Sequence, residues 1–205
     1  MALSTVAQAD LRQDFTRLQC DQVIDKRYYQ VCYDYQAKGA KAVFYTLDGA
    51  VMNQKNIKKR PRFYPEKRLP KVYRTYSSDY TRNPYHADRG HLAPDAAFDW
   101  SVDSLHSVYS MANIIPQYYM INRKSWQKAE RLARKQAVRY HSAQVLNLVD
   151  YGDYRTKFPR SNIAVPYSFT KIIEAGGQKT CLRYINDAKH YKGSERLKDH
   201  RIPCP

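Results

Sequence analysis

Acidic residues are scarce in this sequence. Nineteen Asp and Glu face 35 Lys and Arg, a net charge of +16. That surplus points to a polyanionic partner as a class: nucleic acid, an anionic membrane or an acidic polysaccharide. Surface lysines kept for solubility are the plain alternative. No run of about 18 apolar residues occurs, which excludes a membrane-crossing helix in these residues. No repeat of 20–50 residues and no low-complexity tract is present, which excludes solenoids and fibres. Cysteine is sparse: Cys20, Cys32, Cys181 and Cys204, none in a C-x-x-C pair. The spacings match no zinc site. Four cysteines allow three connectivities. Cys20–Cys32 with Cys181–Cys204 is favoured because each pair closes a short loop, and four buried thiols are the alternative. Disulfides imply an oxidising compartment.

What is present suits a packed protein. The chain has 205 residues, 43% of them hydrophobic, with 19 Tyr, 6 Phe and 2 Trp. That is enough for one domain with a sizeable core. Residues 1–19 read as an N-terminal arm and 20–204 as a single domain without an internal linker. Within the arm, Ala7-Gln8-Ala9 resembles a small-residue cleavage site, but it has neither a charged region nor an apolar core before it. A truncated export signal would leave such a remnant, and so would chance.

Residues 10–18 read as a short polar helix or an irregular arm. Residues 26–35, 41–47, 109–113 and 145–149 read as strands, with further candidates at 163–165, 172–173 and 181–185. Asp48-Gly49 and Gly176-Gly177 mark turns. Residues 53–74 carry nine Lys and Arg against Glu66 alone, and Pro61, Pro65 and Pro70 deny them a continuous helix. They read as an extended basic loop with a strand near 71–76. Residues 102–108 are helical, and 123–140, free of Gly and Pro, form the clearest helix. The mixture predicts an α+β fold with a largely antiparallel sheet flanked by helices.

The sharpest feature is Asp88-Arg89-Gly90-His91-Leu92-Ala93-Pro94. Arginine is a permanently charged, bidentate phosphate donor. Histidine has an ordinary pKa of about 6.5 and can act as a base near neutrality. Twenty-two residues after His91 comes Asn113-Ile114-Ile115-Pro116-Gln117, then Asn122, Trp126, Glu130 and Arg134 at intervals of four. On a helix starting near Asn122 these last four share one face, drifting about 40° per step. An amide, a carboxylate and a guanidinium along such a stripe are either a solvated face or a site. His86, His106, His141, His190 and His200 lack metal-ligand spacing and read as surface or packing residues. Tyr118-Tyr119 could meet bases but reads first as packing.

With these motifs in sequence, residues 60–134 resemble the DNA/RNA non-specific endonucleases, the family of the Serratia nuclease and endonuclease G. The resemblance implies a ββα-metal finger and a set of roles. His91 corresponds to the general base and Asn122 to the direct protein ligand of an otherwise hydrated Mg²⁺, with Mn²⁺ as a substitute. Glu130 corresponds to the acid that orients water on the metal. Arg89 and Arg134 correspond to arginines near the phosphate. An upstream arginine also belongs to the family site; Arg60 and Arg62 compete for it, with Arg62 slightly favoured. Asp88 and Gly90 shape the motif. His86-Ala87 departs from the Gly-Tyr or Gly-Phe common before the motif, which affects local strand geometry.

The implied activity is Mg²⁺-dependent, sequence-independent cleavage of DNA and RNA to 5′-phosphates, held through backbone phosphates. Activity is expected to fall below about pH 6.5, where an ordinary His protonates. An exported enzyme, periplasmic or extracellular, fits the cysteines. The oligomeric state stays open, a homodimer included, and no inhibitor is identified. A DNA-only nuclease of the same fold and a non-catalytic secreted nucleic-acid-binding protein are the alternatives.

Overall fold

The computed structural model describes residues 10–52, 54, 56–191 and 193–205. Ala7-Gln8-Ala9 and Lys55 lie outside them. Nine strands form two sheets: β1 Gln22–Asp25, β2 Gln30–Asp34, β3 Gly39–Asp48, β4 Ala87–His91, β5 Ile114–Tyr118, β6 Ser142–Asp150, β7 Ser168–Ala175, β8 Gln178–Ile185 and β9 Arg201–Ile202. Seven of them make one sheet in the order β1-β2-β3-β6-β7-β8-β9, antiparallel throughout. β4 and β5 make a separate two-stranded ribbon. The fold is α+β, as the residue pattern predicts.

Period-two alternation buries both faces of the large sheet. On one face Cys32, Ala42, Phe44, Leu146, Ile172 and Cys181 pack against Leu11 and Phe15 of α1 (Leu11–Thr16). Asp10 caps this helix by accepting from the Arg12 amide, 2.9 Å. On the other face Val43, Tyr45, Leu47, Val145, Phe169 and Ile173 enter the main core with Trp126 and the small residues Ala129, Ala133 and Ala137. These alanines let α3 (Gln127–Tyr140) lie close to the sheet. Disulfides join Cys20 to Cys32 and Cys181 to Cys204, the favoured pairing. Many tyrosines are core residues whose hydroxyls reach backbone carbonyls: Tyr29 to Ser107, Tyr33 to Tyr73 and Tyr151 to Ala40.

Several local expectations are corrected. Residues 26–35 are not one strand: 26–29 turn the hairpin between β1 and β2, where the Lys26 amide donates to the Tyr29 carbonyl and Arg27 takes φ +69°, and only Gln30–Asp34 are strand. The strand expected near 71–76 is a 3₁₀ turn, Lys71–Tyr73, after Pro70. Arg74 occupies the Leu69 and Lys67 carbonyls with its own guanidinium. The strand expected at 109–113 starts only at Ile114, because Met111–Asn113 is wound into a 3₁₀ turn around the Asn113 side chain. Residues 163–165 contribute a single bridge, Lys157 to Ala164. The predicted helix at Val102–Val108 forms as α2, started by a Ser101–Ser104 capping box.

The basic loop is anchored by its one acid. Glu66 is buried and accepts from Lys26 Nζ (2.7 Å), Arg68 Nε (2.9 Å) and Ser110 Oγ (3.0 Å). Burial raises its pKa, but the hydrogen bonds from Arg68 and Lys26 outweigh burial and bring it down to about 2. A depressed carboxyl pKa stabilises the fold above its unfolded value. That contribution is lost as pH falls from about 4.5 towards about 2. Glu66→Gln is expected to cost on the order of 2–3 kcal/mol at pH 7. The gap to wild type should narrow steadily below pH 4.5 in denaturant melts. A gap that does not change with pH would contradict this account.

Candidate active site

β4 and β5 pair so that His91 faces Ile114 and Ala87 faces Tyr118. The chain then winds through a π-helical turn, Ile121–Trp126, into α3. This strand–strand–helix unit is the expected finger. The i→i+5 winding departs from the regular α spacing read from the sequence, and such turns recur at functional sites. Trp126, expected as packing between the polar residues, fills the core. Glu130 and Arg134, at the edge of the buried alanine row, turn towards the finger.

There they meet a cleft of about 370 Å³ lined by His91, Asp95, Ala96, Asn122, Gln127, Glu130, Arg131 and Arg134. His91, Asn122, Glu130 and Arg134 are thus brought together. Two of them bring buried polar atoms without a hydrogen-bond partner, His91 Nε2 and Arg134 Nη1. A buried unpartnered polar atom is costly in a resting protein and calls for an explanation. Burial, reinforced by the Arg89 charge, lowers the His91 pKa to about 4. The imidazole is therefore neutral across the physiological range. Burial pushes the Glu130 carboxyl upwards, against the pull of Lys171 and Arg134.

Asn122 is oriented by the motif itself. Its Nδ2 donates to Asp88 Oδ2 at 2.9 Å, and Arg123 holds the same carboxylate through two bonds of 2.8 Å. A carboxylate can only accept, so the amide nitrogen is the atom committed to Asp88. The amide oxygen takes no part in that bond. Asp88 accordingly shapes the site rather than lining the cleft.

Other residues of the reading lie outside the cleft. Arg89 shares the strand face of His91; its guanidinium lies 5.2 Å from the Phe63 ring centroid and donates to the Ser77 carbonyl at 3.3 Å. The Phe63 ring also packs on His91, centroids 5.5 Å apart. Arg62, beside Phe63, is exposed. Arg60 instead pairs with Asp95 at 2.8 Å and Asp99 at 3.2 Å. Of the two upstream arginines, Arg60 is thus the one tied to a residue of the cleft wall. Asp95 was not singled out in the sequence, although it lies four residues past His91. It accepts from Tyr109 Oη at 2.6 Å, and the Tyr109 ring packs edge-on to the His91 imidazole. Of the remaining histidines, His86, His106, His141 and His190 are exposed and His200 stacks on Tyr184. Among the described residues no three His, Cys, Asp or Glu side chains form a metal cage.

Sequence comparison supplies the family. A model of the DNA/RNA non-specific endonucleases matches residues 8–196. The chain belongs to this family. Human mitochondrial endonuclease G is 24% identical over 178 residues, covering 80% of this chain and 59% of the relative. The mitochondrial nuclease of Saccharomyces cerevisiae is 26% identical over 158 residues, covering 70% and 47%. The chain thus spans less than two thirds of the length of these relatives. A solved structure of the EndoG/EndoGI complex superposes with a TM-score of 0.77 at 20% identity, over 90% of this chain and 81% of that one. The shared fold is that of this nuclease family.

The two halves of the family motif meet at Gly90. A Cβ added there would lie 2.3 Å from Gln117 Cδ and 2.4 Å from its Cγ. Gly90 is needed because the buried Gln117 side chain lies against its Cα. Gly90→Ala is expected to cost about 1–3 kcal/mol by overpacking and to reduce activity. The double variant Gly90→Ala/Gln117→Ala should recover part of both in chemical denaturation and plasmid cleavage. Unaltered stability in the single variant would show that the contact is relieved by other means.

Proposed function

We propose that the protein is a metal-dependent endonuclease that hydrolyses phosphodiester bonds of DNA and RNA without sequence preference and leaves 5′-phosphates. The observation that carries this reading is the cleft that His91, Asn122, Glu130 and Arg134 line together, with His91 Nε2 buried and without a hydrogen-bond partner. A binding protein has no use for a buried neutral imidazole with a free nitrogen.

The donor set fits Mg²⁺, or Mn²⁺ in its place. The Asn122 amide oxygen and the Glu130 carboxylate are hard oxygen donors, and a cation that keeps several waters needs no all-protein cage. Asn122 would hold it directly and Glu130 through its water. When bound, the cation offsets the negative charge that builds on the phosphate and the leaving 3′ oxygen.

The chain's own residues perform the rest. His91 Nε2 takes a proton from the attacking water, which its neutral state permits without prior deprotonation. Arg134 holds a phosphate oxygen with the guanidinium nitrogen that has no protein partner. Arg89, stacked on Phe63, adds positive charge beside His91. Arg60 fixes Asp95 and hence the cleft wall. Lys58, Lys59, Arg62 and Lys67 on the loop, and Lys124, Arg131 and Lys135 along the finger and α3, are exposed and suit backbone phosphates. The two disulfides support work in an oxidising compartment, and export is the reading that fits them. Among the described residues no helix is long and apolar enough to cross a membrane.

His91→Ala is expected to lower kcat by about 10²–10⁴-fold while leaving substrate binding in place. Asn122→Ala should abolish Mg²⁺-stimulated cleavage. Plasmid, single-stranded DNA and RNA digested side by side, with and without EDTA, test both. Plasmid cleavage at wild-type rate by either variant overturns the assignment.

The pH profile is a second check. The lowered His91 pKa shifts the acid limb from the ordinary 6.5 expected of an exposed histidine towards about 4. Glu130, whose carboxyl burial pushes up to about 7, adds a limb of its own in wild type. In Glu130→Gln the residual kcat/KM should therefore hold between pH 6 and 8 and fall only in the acid range. A midpoint at or above about 6.5 in that variant would show that His91 is not the buried neutral base.

A further inference from the structure

Lys171 lies on β7 and faces the main core, where it is fully buried. A buried lysine is uncommon unless it is paired. The charges of Glu130 and Arg134 act on Lys171, and two of its direct contacts, Asn147 and Trp126, lead towards the strand that carries His91. Lys171 Nζ donates to Asn147 Oδ1 at 2.7 Å and to Tyr45 Oη at 3.3 Å. It also sits 4.2 Å from the centroid of the Trp126 ring, a cation–π contact. Asn147 and Trp126 are themselves fully buried, and each donates onward. Asn147 Nδ2 donates to the Leu92 carbonyl at 3.0 Å, and Trp126 Nε1 donates to the His91 carbonyl at 3.3 Å. Two consecutive carbonyls, at His91 and the next residue, are thus held by two side chains that converge on one ammonium.

We propose that Lys171 is a positioning residue for His91, acting through Asn147 and Trp126 to fix the backbone from which the imidazole projects. The inference rests on the reading of His91 as the base. Lys171 does not line the cleft, although its charge is felt by Glu130 there. Its hydrogen bond sets the Asn147 amide with oxygen towards β7 and nitrogen towards Leu92. Its Nζ packs on the face of the indole whose Nε1 meets the His91 carbonyl. Without Lys171 the amide and indole lose the partner that orients them. A small displacement of a reacting group costs much rate and little binding.

Two variants separate positioning from bulk stability. Lys171→Met keeps length and apolar packing but removes the donor and the charge. Asn147→Asp gives Lys171 a carboxylate partner, which favours the buried pair, but takes the donor away from the Leu92 carbonyl. In both folded variants kcat for plasmid cleavage should fall about 10- to 100-fold with KM within about twofold of wild type. The His91 imidazole resonances in NMR spectra should shift in both. A kcat within twofold of wild type, or unmoved His91 resonances, in either folded variant overturns the proposal. Should Lys171→Met fail to fold, Asn147→Asp decides alone. His91→Ala in the same assay reports separately on the base. If that variant cleaves normally, the base reading fails, and the imidazole resonances alone decide whether Lys171 positions His91.

Discussion

The constraint on which the site depends is what happens to the backbone after His91. There the chain leaves its two-stranded ladder while still inside the protein, so its carbonyls lose their strand partners. Buried carbonyls without donors are costly. Three in succession are satisfied by side chains: His91 by Trp126, Leu92 by Asn147 and Ala93 by Asn113. The three donors come from the start of the helical arm, from the large sheet and from the turn before β5. Each hydrogen bond therefore joins the finger to a different part of the fold. The Asn113 side chain also accepts from the Ala93 amide, closing the loop on itself. Such a network leaves the imidazole little freedom to shift, which suits the role proposed for it as a base.

The positive charge is divided in use. Lys26 and Arg68 pair with Glu66, Arg74 closes its own loop and Lys171 is a core residue. These cations build the protein. Others, Lys58, Lys59, Arg62, Lys67, Arg131 and Lys135 among them, stay exposed along the basic loop and the outer side of α3. Net charge alone cannot separate these groups, since both add equally to the total. That division suits the proposed function, with exposed cations for backbone phosphates and paired ones for the framework of the cleft.

Much of this was legible in the residues. Tyr- and Val-rich and apolar runs revealed most strands of the large sheet, and the Ala- and charge-rich run 123–140 revealed α3. The motif spacing located His91, Asn122, Glu130 and Arg134 in one place, and the structure brings those four into one cleft. The errors fell where a side chain competes with the backbone. Arg74 and Asn113 each take carbonyls that a strand would have used, so the strands expected at 71–76 and 109–113 do not form there. The choice between Arg60 and Arg62 was equally local: two arginines two residues apart look alike until Asp95 and Asp99 are seen beside one of them.

The sequence by itself determined the α+β class, the finger and the chemical types in the site. Periodicity and motif spacing are local properties, and local backbone preference reads them out. Only the tertiary structure decided the state of the groups. Burial, not identity, lowers the His91 pKa and leaves its Nε2 without a partner. Contacts from residues more than fifty positions away set the backbone behind it, through Asn147 and Lys171. Desolvation and long-range hydrogen bonding depend on which atoms exclude water from which, and no stretch of chain carries that information alone.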